Sequence, residues 1–243
     1  MKKNYLDDYS EAYSDSFAYS LDNELMLNWY PKRVLNHVTG ESILELGLGH
    51  GYTSVIFSKS FKKHVVVDGS LEIISDFLQK HKEAESMNIV HSYFEEFETD
   101  EKFDVIVMGF ILEHVENPDL ILEKYKKMLK PNGTVYIAVP NSDALNKRFG
   151  YEAGLINNMS ELTEADLQLG HKRIYNLEKL KDVCIRNGYC IKHVEGIFLK
   201  PITTQQIKDL ELSKEILNSM LKVGINYPEL CAAILVGICL ENK

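Results

Sequence analysis

The residues best placed to do chemistry gather where a short apolar run ends in Glu45-Leu46 and passes into Gly47-Leu48-Gly49-His50-Gly51. Three residues without side chains let backbone come close to a ligand, and the helix expected to follow offers its N–H groups to it. The spacing is not G-x-G-x-x-G, the pattern that seats a dinucleotide pyrophosphate on a helix N-terminus, because the third glycine comes one residue early. Adenosyl cofactors need such close approach; a plain turn is the competing reading. Glu45 ends a strand expected to be buried on both faces, where an unpaired carboxylate would cost several kcal/mol. It therefore needs a partner, either a ligand or a neighbouring lysine or arginine. Asp68 closes the next strand, Val65-Val66-Val67-Asp68, just before Gly69. Its two oxygens suit a vicinal diol such as an adenosine ribose, and the alternative is a helix cap for the segment beginning at Ser70.

Two histidines stand where an acceptor could meet such a cofactor. His114 follows Phe110-Ile111-Leu112-Glu113, and His171 opens His171-Lys172-Arg173-Ile174-Tyr175. An imidazole titrates near neutrality, so either can act as a base. Arg173 and Tyr175 could grip a carboxylate, phosphate or hydroxyl. The competing readings are structural: His114 packed under the cofactor, His171 capping a helix, Arg173 bridging an acid. His37, His50, His64, His81, His91 and His193 form no H-x-x-x-H or H-E-x-x-H set, so no metal is expected. Tyr5, Tyr9, Tyr13 and Phe17 recur every four residues, an aromatic stripe that reads either as a lid with Tyr13 facing the substrate or as static packing. Phe198-Leu199-Lys200-Pro201 reads as a substrate wall or a simple turn.

These residues need a scaffold, and the apolar runs supply one. Amphipathic helix-length segments alternate with runs at 42–46, 64–68, 88–91, 103–108 and 134–139, which predicts β-α units on a parallel sheet. Helices are expected over 23–38, from 53, over 70–82, and over 120–129 up to the Pro131-Asn132-Gly133 turn. After a polar segment at 141–175 carrying Thr163-Glu164-Ala165-Asp166, helices at 176–187 and 203–222 alternate with strands at 189–198 and 232–240. The expected domains are an aromatic arm over 1–22 and a domain over 23–243 with a cap inserted at about 141–175.

The chain has 243 residues, 45% hydrophobic and 26% charged, which suits one enzyme-sized domain. Its net charge of −9 disfavours a nucleic-acid partner. The opening Met1-Lys2-Lys3-Asn4-Tyr5 lacks the apolar core of an export signal, and 231–240 falls short of the ~20 apolar residues of a membrane span. Cys184, Cys190, Cys231 and Cys239 show no paired metal spacing. A cytoplasmic protein without a membrane is expected.

Taken in order, these motifs resemble the class I, Rossmann-like methyltransferases that use S-adenosylmethionine. Glu45 through Gly51 is similar to the family's E-x-G-x-G-x-G signature, and Asp68 to its ribose-binding acid. Phe103-Asp104-Val105-Ile106, Leu112-Glu113-His114-Val115-Glu116-Asn117-Pro118 and Leu129-Lys130-Pro131-Asn132-Gly133-Thr134 resemble its later motifs. The resemblance implies a seven-stranded, mostly parallel α/β sheet with helices on both faces and an antiparallel last strand. It implies S-adenosylmethionine bound by Glu45, Gly47, Gly49, Gly51, Asp68, Gly69 and Phe110, leaving S-adenosylhomocysteine as product. Relatives often hold adenine with an aspartate after the third strand, whereas this chain has His91-Ser92-Tyr93-Phe94. Adenine would then rest on Tyr93 and Phe94, or Phe94 is simply core. Gly170-His171 through Tyr175 resembles a stretch of small-molecule methyltransferases, which implies a small metabolite or sugar-like acceptor methylated on oxygen or nitrogen. A cofactor-binding protein without catalysis and an NAD(P)-dependent oxidoreductase are the rival readings. The oligomeric state is not fixed, and a dimer is compatible with the sequence.

Overall fold

A computed structural model describes residues 19–241. The aromatic stripe of Tyr5, Tyr9, Tyr13 and Phe17, including the substrate role given to Tyr13, lies outside the described residues. The elements run α1 (Ser20–Leu35), β1 (Ser42–Leu46), α2 (Tyr52–Ser58), β2 (Lys63–Asp68), α3 (Leu71–Lys80), β3 (Asn88–His91), β4 (Phe103–Gly109), α4 (Pro118–Lys126), β5 (Leu129–Pro140), α5 (Leu145–Glu152), α6 (Glu164–Gln168), α7 (Leu177–Arg186), β6 (Tyr189–Ile197), α8 (Thr204–Asp209), α9 (Lys214–Gly224) and β7 (Ala233–Leu240).

The seven strands form one sheet, as the resemblance implies, and they stand in the order β3-β2-β1-β4-β5-β7-β6. Strands β1 to β5 pair in parallel, and β7 inserts antiparallel between β5 and β6. Successive side chains of a strand point to opposite faces, and the core divides accordingly. Leu44, Leu46, Ile106, Met108, Val135 and Ile137 pack with Tyr125, Leu180 and Val183 on the face covered by α4 and α7. Ile43, Val105, Val107, Tyr136 and Leu235 pack with Met26, Tyr30, Val34 and Leu221 on the face covered by α1 and α9. This two-sided burial explains why the central strands read as continuous apolar runs.

Three expectations need correction. The helix expected over 120–129 ends at Lys126, because Leu129 already pairs with Phe103 in the sheet; Pro131, Asn132 and Gly133 lie in a bulge of β5 rather than in a turn ahead of it. A bulge is where a strand tolerates a proline, which has no N–H to give the ladder. The single helix expected over 203–222 is two, because Glu211 adopts a left-handed backbone (φ 47°) and α9 restarts after Ser213. Ser20, Leu21 and Asp22, assigned to the arm, already belong to α1. No helix of the described residues is long and apolar enough to cross a membrane.

The order of strands reverses between β1 and β4, and at their far, amino-terminal ends Asp104 fastens the pair. Its Oδ2 accepts from the Glu41 and Ser42 amides at 3.1 and 3.0 Å, from Ser42 Oγ at 2.6 Å and from Lys130 Nζ at 2.9 Å. Partial burial alone would raise the Asp104 carboxyl, but these donors hold it well below the usual carboxylate range. A depressed folded value means that the contribution to stability is present above about pH 4 and lost as pH falls through that lower value. Asp104→Asn should therefore destabilise the protein by roughly 1–2 kcal/mol at pH 7. Urea unfolding of both proteins between pH 7 and pH 3 should show the difference shrinking with acid; a pH-independent difference would contradict the assignment.

Candidate active site

Open parallel sheets take ligands in the crevice outside the carboxyl ends of their strands, at the point where strand order reverses. A cavity of about 620 Å³ lies there, a size usual for a small-molecule site. Its floor comes from the segments following β1 (Gly47–Thr53), β2 (Asp68–Ser70), β3 (Tyr93–Glu95) and β4 (Gly109–Glu116).

Gly47 and Gly49 take left-handed conformations (φ 85° and 50°), and a Cβ on Gly47 would come within 2.9 Å of Ile111. Only glycine passes through this turn without strain. Asp68 is buried and lines the cavity, its Oδ2 accepting from Leu48 N and its Oδ1 from Ser70 N, both at 2.8 Å. Each carboxylate oxygen has a second lone pair for a ligand hydroxyl. Burial raises the carboxyl, while the Ser70, Leu48 and Gly49 amides and His91 oppose that shift. The helix cap considered for Asp68 belongs instead to Ser70, whose Oγ accepts from Ile73 N at 3.3 Å. Gly51, Gly69, Tyr93, Phe94 and Phe110 also line the cavity. Phe110 holds a left-handed backbone (φ 58°), uncommon for a bulky residue, and its ring packs edge-on against Tyr30.

Glu45 does not line the cavity. It lies beneath the glycine loop, 1% exposed, with Oε1 accepting from Thr53 Oγ1 at 2.6 Å and Oε2 facing His64 Nε2 at 2.8 Å. The partner required of this carboxylate is thus a histidine on β2 and a hydroxyl in the first turn of α2, neither a lysine nor an arginine. Arg173 and Tyr175 also stand elsewhere than the sequence placed them. The Arg173 guanidinium donates to the carbonyls of Leu112, Val115 and Glu116, and the buried Tyr175 hydroxyl donates to Leu112 O at 3.4 Å. Both secure the loop after β4 and neither lines the cavity.

His114 and His171 do line it, with ring centroids 4.8 Å apart. Glu113 lies beside them, fully buried, with neither carboxylate oxygen hydrogen bonded among the described residues. Burial pushes the Glu113 carboxyl up to about 7 against the opposing pull of His171 and Arg173. Burial and the neighbouring His171 push His114 down to about 3. Nδ1 of His171 stands 3.2 Å from Asp166 Oδ1, without the alignment of a hydrogen bond. Asp166 is itself held by the Thr163 capping box; burial would raise it, but His171 and Thr163 keep it at about 2. No metal set was expected from the sequence, yet Glu113, His114 and His171 bring ligand atoms within 4.8 Å of one another. The fold joins residues separated by the whole of β5 and the cap, a spacing no local motif encodes.

Sequence reasoning missed one wall. Asp22, Met26 and Tyr30 face the cavity from α1 at intervals of four, a helical periodicity that was visible. Lys200 also lines it, whereas Phe198, Leu199 and Pro201 do not. The Lys200 Nζ is ion-paired with the buried Asp22 and donates to Thr204 Oγ1 at 3.0 Å. Lys147, from α5, contributes a second, half-buried amine, lowered by burial and partly restored by Asp166.

A family profile described as a methyltransferase domain matches residues 19–194. An uncharacterized protein of Methanocaldococcus jannaschii is 26% identical over 204 residues, covering 76% of this chain and 93% of that one. A ubiquinone biosynthesis O-methyltransferase of Glaesserella parasuis is 28% identical over 198 residues, covering 74% and 77%. Among solved structures, a SAM-dependent methyltransferase from Thermotoga maritima superposes with a TM-score of 0.63 at 16% identity, covering 98% and 96%.

The pairing beneath the glycine loop can be tested without any ligand. His64→Leu should leave Glu45 buried with Thr53 as its remaining partner and cost roughly 1–3 kcal/mol, as expected when a buried polar group loses a hydrogen-bond partner. Urea unfolding checks it; a loss below about 0.5 kcal/mol would show that Glu45 does not depend on His64.

Proposed function

This chain belongs to the methyltransferase-domain family, a class I S-adenosylmethionine-dependent methyltransferase, and we propose that it methylates oxygen or nitrogen of a small, polar metabolite. The observation that carries this reading is the continuity of one cavity from Asp68 and the glycine loop to Glu113, His114 and His171. At one end, Gly47, Gly49 and Gly51 admit the methionine part of the cofactor. Asp68, with Gly69 beside it, takes the ribose hydroxyls, and Tyr93 and Phe94 take the adenine. Phe110 walls the passage between the two ends. Glu45 serves the cofactor indirectly, by fixing the loop from below.

The sulfonium supplies a methyl group already attached to a good leaving group. The protein's task is alignment, which can lower a barrier by roughly 7–11 kcal/mol. As the new bond forms from acceptor oxygen or nitrogen to the methyl carbon, the carbon–sulfur bond breaks and its electrons return to sulfur. The acceptor's proton leaves at the end of the cavity that holds His171 and His114, and a well-placed base there adds about 10²- to 10⁴-fold. Lys147 and the Lys200–Asp22 pair favour an acceptor with polar or anionic groups. The cap over 141–175 covers this end. A small acceptor also accords with the O-methyltransferase named among the relatives and with the acidic net charge of the chain.

Asp68→Ala and Gly49→Val should each weaken S-adenosylmethionine binding at least tenfold by calorimetry, one by removing the diol grip and the other by filling the cofactor's space. Unchanged affinity in both would remove the cofactor from this end of the cavity. His171→Ala should lower turnover across a panel of hydroxyl, carboxyl and amine acceptors while leaving cofactor affinity within about twofold; equal loss of both would move His171 out of the acceptor end. Tight cofactor binding with no methyl transfer to any acceptor would favour a cofactor-binding protein without catalysis.

A further inference from the structure

Glu113 presents a problem that the methyl-transfer reading leaves unsolved. Its carboxylate is fully buried, both oxygens lack a hydrogen-bond donor among the described residues, and the nearby Arg173 guanidinium is committed to three backbone carbonyls. Buried without a partner, such a carboxyl is costly to ionise unless a cation meets it. What stands close to it instead are two imidazoles, with potential ligand atoms of Glu113, His114 and His171 all within 4.8 Å of one another. A carboxylate and two histidines on one side of an open space form the ligand set of divalent first-row metals, with further positions left for water or substrate.

We propose that Glu113, His114 and His171 bind one divalent transition-metal ion at the acceptor end of the cavity. The surroundings support the three ligands as they would in a metal site. Asp166 Oδ1 lies 3.2 Å from His171 Nδ1, so a carboxylate stands beside the ring, as it commonly does around a metal-ligating histidine. Asp166 is fixed in turn by Thr163, whose N and Oγ1 donate to it at 2.8 and 2.7 Å. The two ligand-bearing segments are tied together where Lys172 N donates to Glu113 O at 2.8 Å and where Arg173 clasps the loop. Glu113, His114 and His171 all line the cavity. If the methyl-transfer reading holds, on which this last step rests, an acceptor hydroxyl bound there would lose its proton more readily, which selects oxygen over nitrogen acceptors.

A second cluster of the same composition provides an internal contrast. His37, His193 and Glu195 also bring ligand atoms within 4.8 Å of one another, where β6 meets the end of α1. There Arg33 already neutralises Glu195, with Nε and Nη2 donating to its two oxygens at 2.7 Å each. That carboxylate has no need of a metal, and the ion is assigned to the cavity cluster alone.

Chelator-treated protein titrated with Zn²⁺ by calorimetry and with Mn²⁺ by electron paramagnetic resonance should bind one equivalent. Glu113→Gln, which keeps the shape, and His171→Ala should each weaken that binding by more than about 100-fold. Asp166→Asn should weaken it by about 10- to 100-fold, and Glu195→Gln should leave it unchanged. Circular dichroism establishes that each variant is folded. S-adenosylmethionine affinity measured on Glu113→Gln separates the two readings: retained cofactor binding with lost metal binding supports the site, and lost cofactor binding in the wild type would defeat the methyl-transfer reading without touching the metal result. Absence of stoichiometric binding, binding unaffected by Glu113→Gln, or binding abolished by Glu195→Gln would each overturn the proposal.

Discussion

The architecture of the glycine-loop end of the cavity depends on a carboxylate that lies outside the cavity. Glu45 projects from the middle of the sheet into an apolar layer, where its charge is tolerable because Thr53 and His64 meet its two oxygens. Those contacts join the end of β1 to the first turn of α2 and to the strand alongside. The intervening glycine loop is thereby held at both ends, and its backbone can follow a path that side chains would forbid. Asp68 adds the third fixture by accepting from Leu48 within the loop itself. A flexible, glycine-rich turn is thus rigid through its supports, which is the form of preorganisation that ligand sites require.

At the opposite end of the cavity the polar groups are arranged differently. Lys200 and Asp22 form a buried pair between the segment after β6 and α1, with Thr204 bonding to both. Around His171, the charges come from the cap and from the loop after β4, two segments that are distant in sequence. The cofactor end is built from consecutive β-α units, whereas the acceptor end is assembled from insertions and chain returns. The first arrangement constrains one ligand tightly; the second leaves room for acceptors to differ.

This difference also governs what the sequence could convey. Alternating apolar runs predict the strands because burial on both faces demands it, and the glycine spacing with Asp68 predicts a ligand loop because backbone conformation demands glycine there. Such signals are local. The partner of Glu45 was not legible, since His64 meets it only through the parallel register of β1 and β2. Arg173 read as an acceptor contact because a guanidinium suits anions, and nothing local reveals three carbonyls waiting for it 57 or more positions away. Glu113 was passed over for its neighbour His114, because the need for a partner becomes visible only once burial removes water. The break at Glu211 hides for another reason: a single left-handed residue leaves the helical pattern on either side intact.

The cap leaves and rejoins the sheet at almost the same place. Asn141 and Tyr175 form an isolated parallel bridge, Ser142 N donates to Tyr175 O at 2.7 Å, and the Asn141 side chain grips the carbonyls of Pro228, Glu229 and Cys231. The excursion between them is therefore a closed loop on a fixed clasp. Because each doubling of such a loop costs only about 0.6 kcal/mol in closure entropy, its length and content can drift over evolutionary time while the clasp stays put. The cap is in that sense hung from a single point, and a change in its length need not disturb the glycine loop.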